Sequence, residues 1–103
     1  MEKVIRDNLV AVLYSPGFGT GWSTWHDTPD TMFDSRIVEK VEQSKQAEIT
    51  EEFMESIGYT GCYCGGAKDL KIEWVPEGGQ FDIQEYDGSE SITVIGRTTY
   101  PIA

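Results

Sequence analysis

The chain has 103 residues, 18 acidic and 8 basic, which gives a formal charge of −10 and the size of one folded domain. An apolar content of 39%, with 12% aromatic side chains, is ordinary for a globular protein and too high for a disordered acidic chain. No apolar run approaches the roughly 18 residues that span a bilayer, and the Met1 to Asp7 stretch lacks the apolar core of a signal peptide, so a soluble intracellular protein is expected.

The acidity is uneven: residues 1–47 hold 7 acids and 5 bases, residues 48–103 hold 11 acids and 3 bases. A negative field of this kind repels nucleic acid phosphates and anionic lipid headgroups, which argues against direct nucleic acid binding and against a membrane surface. It either keeps the protein soluble or attracts a basic protein surface, as a nucleic-acid mimic does.

In chain order, Leu9 to Tyr14 form a short apolar run without polar alternation, which predicts a central strand buried on both faces. Residues 15–31 then read as a long loop with Trp22 and Trp25, and loops of that length in a compact domain are frequently functional. From Asp30 to Gln43, Phe33, Ile37, Val38 and Val41 recur at helical spacing opposite Glu39, Lys40 and Glu42, predicting one amphipathic helix. Its cap is either Thr28, followed by Pro29, or Asp34. A second helix is predicted from about Glu48, with Ile49, Phe53, Met54 and Ile57 on one face, acids in its first turns and Gly58 as its stop. Leu70, Ile72 and Trp74 alternate with Lys71, Glu73 and Val75 as a half-buried strand. Turns at Pro76 to Gly79 and at Asp87-Gly88 separate it from runs around Phe81 and Ile83 and around Ile92, Val94 and Ile95. The expectation is a single α+β domain over residues 1–103: a mainly antiparallel sheet of four strands, three of them a meander, with two helices packed on one face.

The segment Tyr14 to Trp25 is the most informative for chemistry. Gly17, Gly19 and Gly21 let a ligand approach the backbone and expose N–H groups, while Ser15, Ser23 and Thr24 add hydroxyls beside the Trp22 and Trp25 indoles. Such a loop holds an anion and stacks a flat ring, or its glycines form turns while both indoles fill the core. It is neither a G-x-G-x-x-G dinucleotide fingerprint nor a P-loop, since neither spacing is present. Arg36, with Lys40 on the following helix, is the candidate cation for a phosphate.

Catalysis would have to join His26 and Asp27, Asp30 or Asp34 to a nucleophile among Ser15, Ser23 and the cysteines. No motif ties them together, so no catalytic residue is assigned. Cys62 and Cys64 are one residue apart, a spacing that strains a disulfide and differs from the usual redox pair. Zinc would require two more ligands in a chain whose one histidine is far away, so free structural thiols are expected, with no metal and no cofactor. Glu85, Asp87 and Glu90 do not reproduce a calcium loop and read as a charged hairpin rim.

With the segments Val12 to Trp25, Met32-Phe33-Asp34, Gly65-Gly66 with Asp69-Leu70, and Glu85 to Glu90, the chain resembles a group of small tailed-bacteriophage proteins over most of its length. Cys62 and Cys64 fall outside that pattern. The resemblance implies a setting in the cytoplasm of a bacterial host cell and transfers no mechanism. In that setting two uses are open. One is capture of a nucleotide-like small molecule of host defence or metabolism by Ser15, Gly17, Gly19, Gly21, Trp22, Ser23, Thr24, Trp25 and Arg36. The other is inhibition of a basic host protein through the acids of residues 48–90. Oligomeric state stays open, because a pocket can be completed across a symmetric interface.

Overall fold

The computed structural model describes residues 1–95. Strand β1 (Ile5–Arg6) turns back through Asp7-Asn8 into β2 (Leu9–Tyr14), and both turn residues have positive φ, 52° and 64°. That backbone matches the twist of a two-residue hairpin, and Asp and Asn tolerate it better than most side chains. The hairpin was not expected: β1 has two residues, both exposed, and leaves no apolar alternation to read. On its other edge β2 pairs antiparallel with β3 (Lys71–Pro76), setting Ala11 opposite Trp74 and Leu13 opposite Ile72. Strand β2 is therefore central in this sheet, as its composition implies.

The single helix expected over residues 30–43 is two helices, α1 (Asp30–Phe33) and α2 (Ser35–Glu42). The break is Asp34, whose extended ψ of 122° interrupts the helix and whose backbone bridges to Lys3. Its carboxylate accepts from the Arg36 N–H at 2.9 Å and caps α2. The other candidate cap, Thr28, accepts from the Asp30 N–H at 3.3 Å but lies one residue too early, since the N-cap position of α1 is Pro29, which makes no side-chain cap bond. A 3₁₀ turn over Gln46–Glu48 precedes α3 (Glu51–Ser56). The second helix thus begins three residues later than expected, because Thr50 rather than Glu48 supplies the cap, accepting from the Phe53 N–H at 3.2 Å. Gly58, at φ 101°, follows its end.

Strands β4 (Gln80–Tyr86) and β5 (Ser89–Ile95) form a hairpin around Asp87-Gly88, both at positive φ, 49° and 84°. This hairpin is a separate two-stranded sheet, which corrects the expected four-stranded sheet and its meander. At Pro76 to Gly79 the chain reverses tightly, with the Gly79 N–H bonded to the Pro76 carbonyl at 2.8 Å, and β4 leaves the sheet instead of pairing with β3.

The result explains why β2 is apolar throughout. Ala11 and Leu13 on one face join Trp22, Ile37, Val38, Val41, Ile49, Met54 and Leu70 in the main core under the helices. On the other face Val12 and Val75 are also buried, and with Val10, Phe33 and Phe81 they line a small gap of about 80 Å³ under the hairpin. The Phe33 and Phe81 rings meet edge to face at 6.1 Å, fastening the hairpin to α1. Among the described residues no helix is long and apolar enough to cross a membrane.

Candidate functional site

The loop after β2 is organised around an internal anion. Glu90, the second residue of β5, is 1% exposed and turns its carboxylate into the loop. One carboxylate oxygen accepts from the backbone N–H of Ser15 at 2.9 Å and of Ser23 at 3.2 Å. The other accepts from the N–H and the hydroxyl of Thr24, both at 2.6 Å. The Glu90 backbone N–H also donates to the Ser15 carbonyl at 2.8 Å. The loop holds an anion as its composition suggests, but the anion belongs to the chain itself, and these amides are closed to a ligand. The hydroxyls of Ser15 and Ser23 turn to the Thr20 and Leu13 carbonyls at 3.3 and 2.6 Å, and both side chains are buried. Glu90 is thus not part of a solvated rim.

The glycines serve close approach within the chain. A side chain on Gly17 would strike the Asp69 carboxylate, and one on Gly88 would strike the Thr20 and Gly19 backbone. Gly19 has positive φ, 78°, and its N–H donates to the Asp87 carbonyl at the hairpin turn. A Cβ on Gly21 would sit 2.7 Å from the Trp25 ring, and one on Gly65 would sit 2.2 Å from the Tyr63 hydroxyl oxygen. Trp25 and Tyr63 therefore each rest on a bare stretch of backbone.

The two indoles part company. Trp22 is wholly buried, donates its N–H to the Thr31 carbonyl at 3.0 Å and packs at right angles to His26, 4.5 Å between centroids. Its assignment to ligand stacking is corrected: it fills the core. Trp25 is 41% exposed, its ring 5.0 Å from that of Tyr63, which is exposed to the same extent. These two rings stand at a cleft of about 340 Å³ that is also lined by His26, Asp27, Thr28 and the stretch from Gly58 to Cys62. Composition gave no sign of Tyr63, because residues 59–66 lack any periodicity; its neighbours Gly65 and Gly66 are the one signal that something packs closely there.

Most polar groups around the cleft already have partners. The Trp25 indole N–H donates to a Glu85 carboxylate oxygen at 3.3 Å. His26 Nε2 lies 2.6 Å from the Tyr63 carbonyl, which can only accept, so this nitrogen carries a hydrogen; Nδ1 lies 2.8 Å from the Thr31 hydroxyl. With both nitrogens engaged, His26 has none directed at a nucleophile. The Tyr59 hydroxyl donates to Asp34 at 2.7 Å. Burial and the Asp34 bond push its own ionisation far up.

Arg36 does not join this site. Its Nε and Nη2 donate to the two carboxylate oxygens of buried Asp34 at 3.0 and 2.8 Å, and it lines a separate surface hollow with Met1, Glu2 and Ser35. Burial works against the Asp34 charge, but the bonds from Arg36 and Tyr59 outweigh it and hold the carboxyl below its ordinary range. Lys40 pairs with Glu48 at 2.6 Å. Among the described residues no Lys or Arg lines the Trp25 cleft.

Cys62 and Cys64 are free and half-buried against the core. Burial raises both thiols, helped by Asp27 at Cys62 and by Cys62 and Glu51 at Cys64, which keeps them protonated and poor nucleophiles at neutral pH. Among the described residues no three His, Cys, Asp or Glu side chains come together in a way that could hold a metal ion.

Three of the four segments that carry the resemblance come together around the glycine loop, Met32-Phe33-Asp34 being the exception. Gly66 lies against the Gly21 carbonyl and Ser15, Asp69 against Gly17, and Glu85 and Glu90 against Trp25 and the Ser15 to Thr24 amides. Compared with protein-family models, with curated proteins and with solved structures, the chain gives no match.

Proposed function

We propose that the protein acts by binding, and that it captures a small molecule carrying a planar, nucleobase-like ring in the cleft edged by Trp25 and Tyr63. The observation that carries this reading is the pair of half-exposed rings, each bedded on a glycine, beside about 340 Å³ of open space. That volume lies in the range of small-ligand sites, and a flat ring stacking on an aromatic face gains binding energy with little side-chain ordering. On this reading the contact element is the end of the glycine loop together with residues 58–63, and Ser15, Ser23, Thr24 and Glu90 are its frame. In the bacteriophage setting that the resemblance implies, such a protein is a sponge for a host signal.

The test is a titration of the protein with nucleobases and nucleosides, followed by NMR at the Trp25 indole and the Tyr63 amide. Saturable shifts are expected, weakened at least about fivefold in Trp25→Ala, since base stacking on an aromatic ring is worth roughly 1–3 kcal/mol. Absence of saturation, or equal affinity in Trp25→Ala, contradicts the reading.

A second reading, inhibition of a basic host protein, draws on Glu51, Glu52 and Glu55. These lie exposed on α3 and form no ion pair among the described residues. It predicts a partner whose affinity falls steeply with salt and is indifferent to Trp25→Ala.

A further inference from the structure

We infer that the cleft selects positive charge: its ligand is a small planar organic cation, such as a protonated heteroaromatic ring or an aromatic amidinium, and a phosphate is rejected there. This rests on the reading of the cleft as a ligand site and assigns that site a chemical class.

The argument is an inventory of what the cleft leaves free. The side-chain N–H and O–H groups of Trp25, His26 and Tyr59 are taken, by Glu85, by the Tyr63 carbonyl and by Asp34. What remains for a ligand is the π surface of Trp25 and Tyr63, the Tyr63 and Thr60 hydroxyls, and one charged group, the carboxylate of Asp27. Asp27 is exposed and has no ion-pair partner among the described residues. Its charge is felt within the cleft, where it adds to burial in raising the Cys62 thiol.

The π faces and the one free charge favour a cation. The face of an aromatic ring is its negative pole, and tryptophan is the strongest partner for a cation. The Glu85 carboxylate on the indole N–H increases the negative character of that ring. Among the described residues no Lys or Arg lines the cleft to receive a phosphate, and the net charge of −10 draws cations and repels anions at longer range. A ring that brings amine or amidinium hydrogens satisfies Asp27 while its plane lies on the indole.

Benzamidine, benzamide and benzoate test this directly, because they present one ring with a positive, a neutral and a negative substituent. Their affinities are measured by NMR titration against the wild type, Asp27→Asn and Trp25→Ala. The expected order is benzamidine, then benzamide, then benzoate, with benzamidine about tenfold tighter than benzamide, a ratio in keeping with a cation–π contact assisted by a carboxylate. Asp27→Asn should shrink that ratio several-fold while leaving benzamide unchanged, and added salt should weaken benzamidine alone. Equal binding of all three, dependent on Trp25, overturns the charge preference and leaves the ligand site standing. A preference for benzoate does the same. If none binds at millimolar concentration, or Trp25→Ala changes nothing, the site itself is wrong and the inference falls with it.

Discussion

Two places on one loop differ in what they leave unsatisfied. At Ser15, Ser23 and Thr24 three backbone N–H groups and a hydroxyl converge, and the Glu90 carboxylate takes all four. At Trp25 the loop reaches the surface, the indole N–H is occupied by Glu85, and the aromatic surface and the Asp27 carboxylate remain open beside a cleft. Glycines, hydroxyls and indoles in one run point to an anion receptor, but such a receptor can be filled from within. A site for something else exists where partners are missing, and here that is the aromatic end.

The largest expected effect comes from emptying the closed place. Glu90→Ala leaves three amides, those of Ser15 and Ser23 buried, without an acceptor and should cost on the order of 3–5 kcal/mol in urea unfolding. Trp22→Ala should cost about as much by opening a cavity in the core. Trp25→Ala, one loop turn away, should cost about 1 kcal/mol or less, as expected for a half-exposed ring. Comparable losses at Trp22 and Trp25 would erase the distinction between a core indole and a site indole.

Asp34→Asn should have an intermediate effect, about 2 kcal/mol, by weakening the α2 cap and the bonds to Arg36 and Tyr59. Its pH dependence carries a definite sign. A carboxyl whose folded pKa is depressed contributes stability that is complete above its unfolded value, about pH 4, and is lost as the pH falls through the lower folded value. The wild type should therefore lose stability more steeply than Asp34→Asn below about pH 4. Tyr59 has the opposite sign, because its folded value is raised: its share is complete below its unfolded value, about pH 10, and is lost only as the pH climbs through the folded value. Parallel acid limbs in urea titrations of the two proteins would remove Asp34 from this account.

A small effect on stability, similar to that of Trp25→Ala, is expected at Gly21→Ala, about 1 kcal/mol, provided the half-exposed Trp25 ring swings aside. Its effect on ring binding should be larger, several-fold, because the displaced indole no longer edges the cleft. Binding that survives Gly21→Ala unchanged would mean that the bed under Trp25 is irrelevant to the site.

Much of the fold could be read from the residues. The unbroken apolar run of β2 requires cover on both faces, and the helices and the hairpin provide it. Asp87-Gly88 sits between alternating runs, and alternation with a turn residue pair is a local signal. Where β4 pairs is not local: nothing in Pro76 to Gly79 states that the hairpin lies across Val12 and Val75 instead of extending the sheet. Glu90 was hidden for a similar reason, since its partner Ser15 lies 75 residues away. One signal was present, because Glu90 shares its parity along β5 with half-buried Ile92 and Val94, so its side chain points inward. The glycine loop was recognised as special, yet its composition does not show whether the occupant of its amides is a ligand or a residue of the same chain. Trp25 and Trp22 are three residues apart with similar neighbours, and only the packed structure separates them.

The most direct measurement is an amide chemical-shift map of the protein titrated with benzamidine. The account predicts saturable shifts centred on Trp25, Asp27 and Tyr63, with the amides of Ser15, Ser23 and Thr24 little changed because Glu90 holds them. Shifts centred on those three amides, with Trp25 and Tyr63 silent, would contradict it.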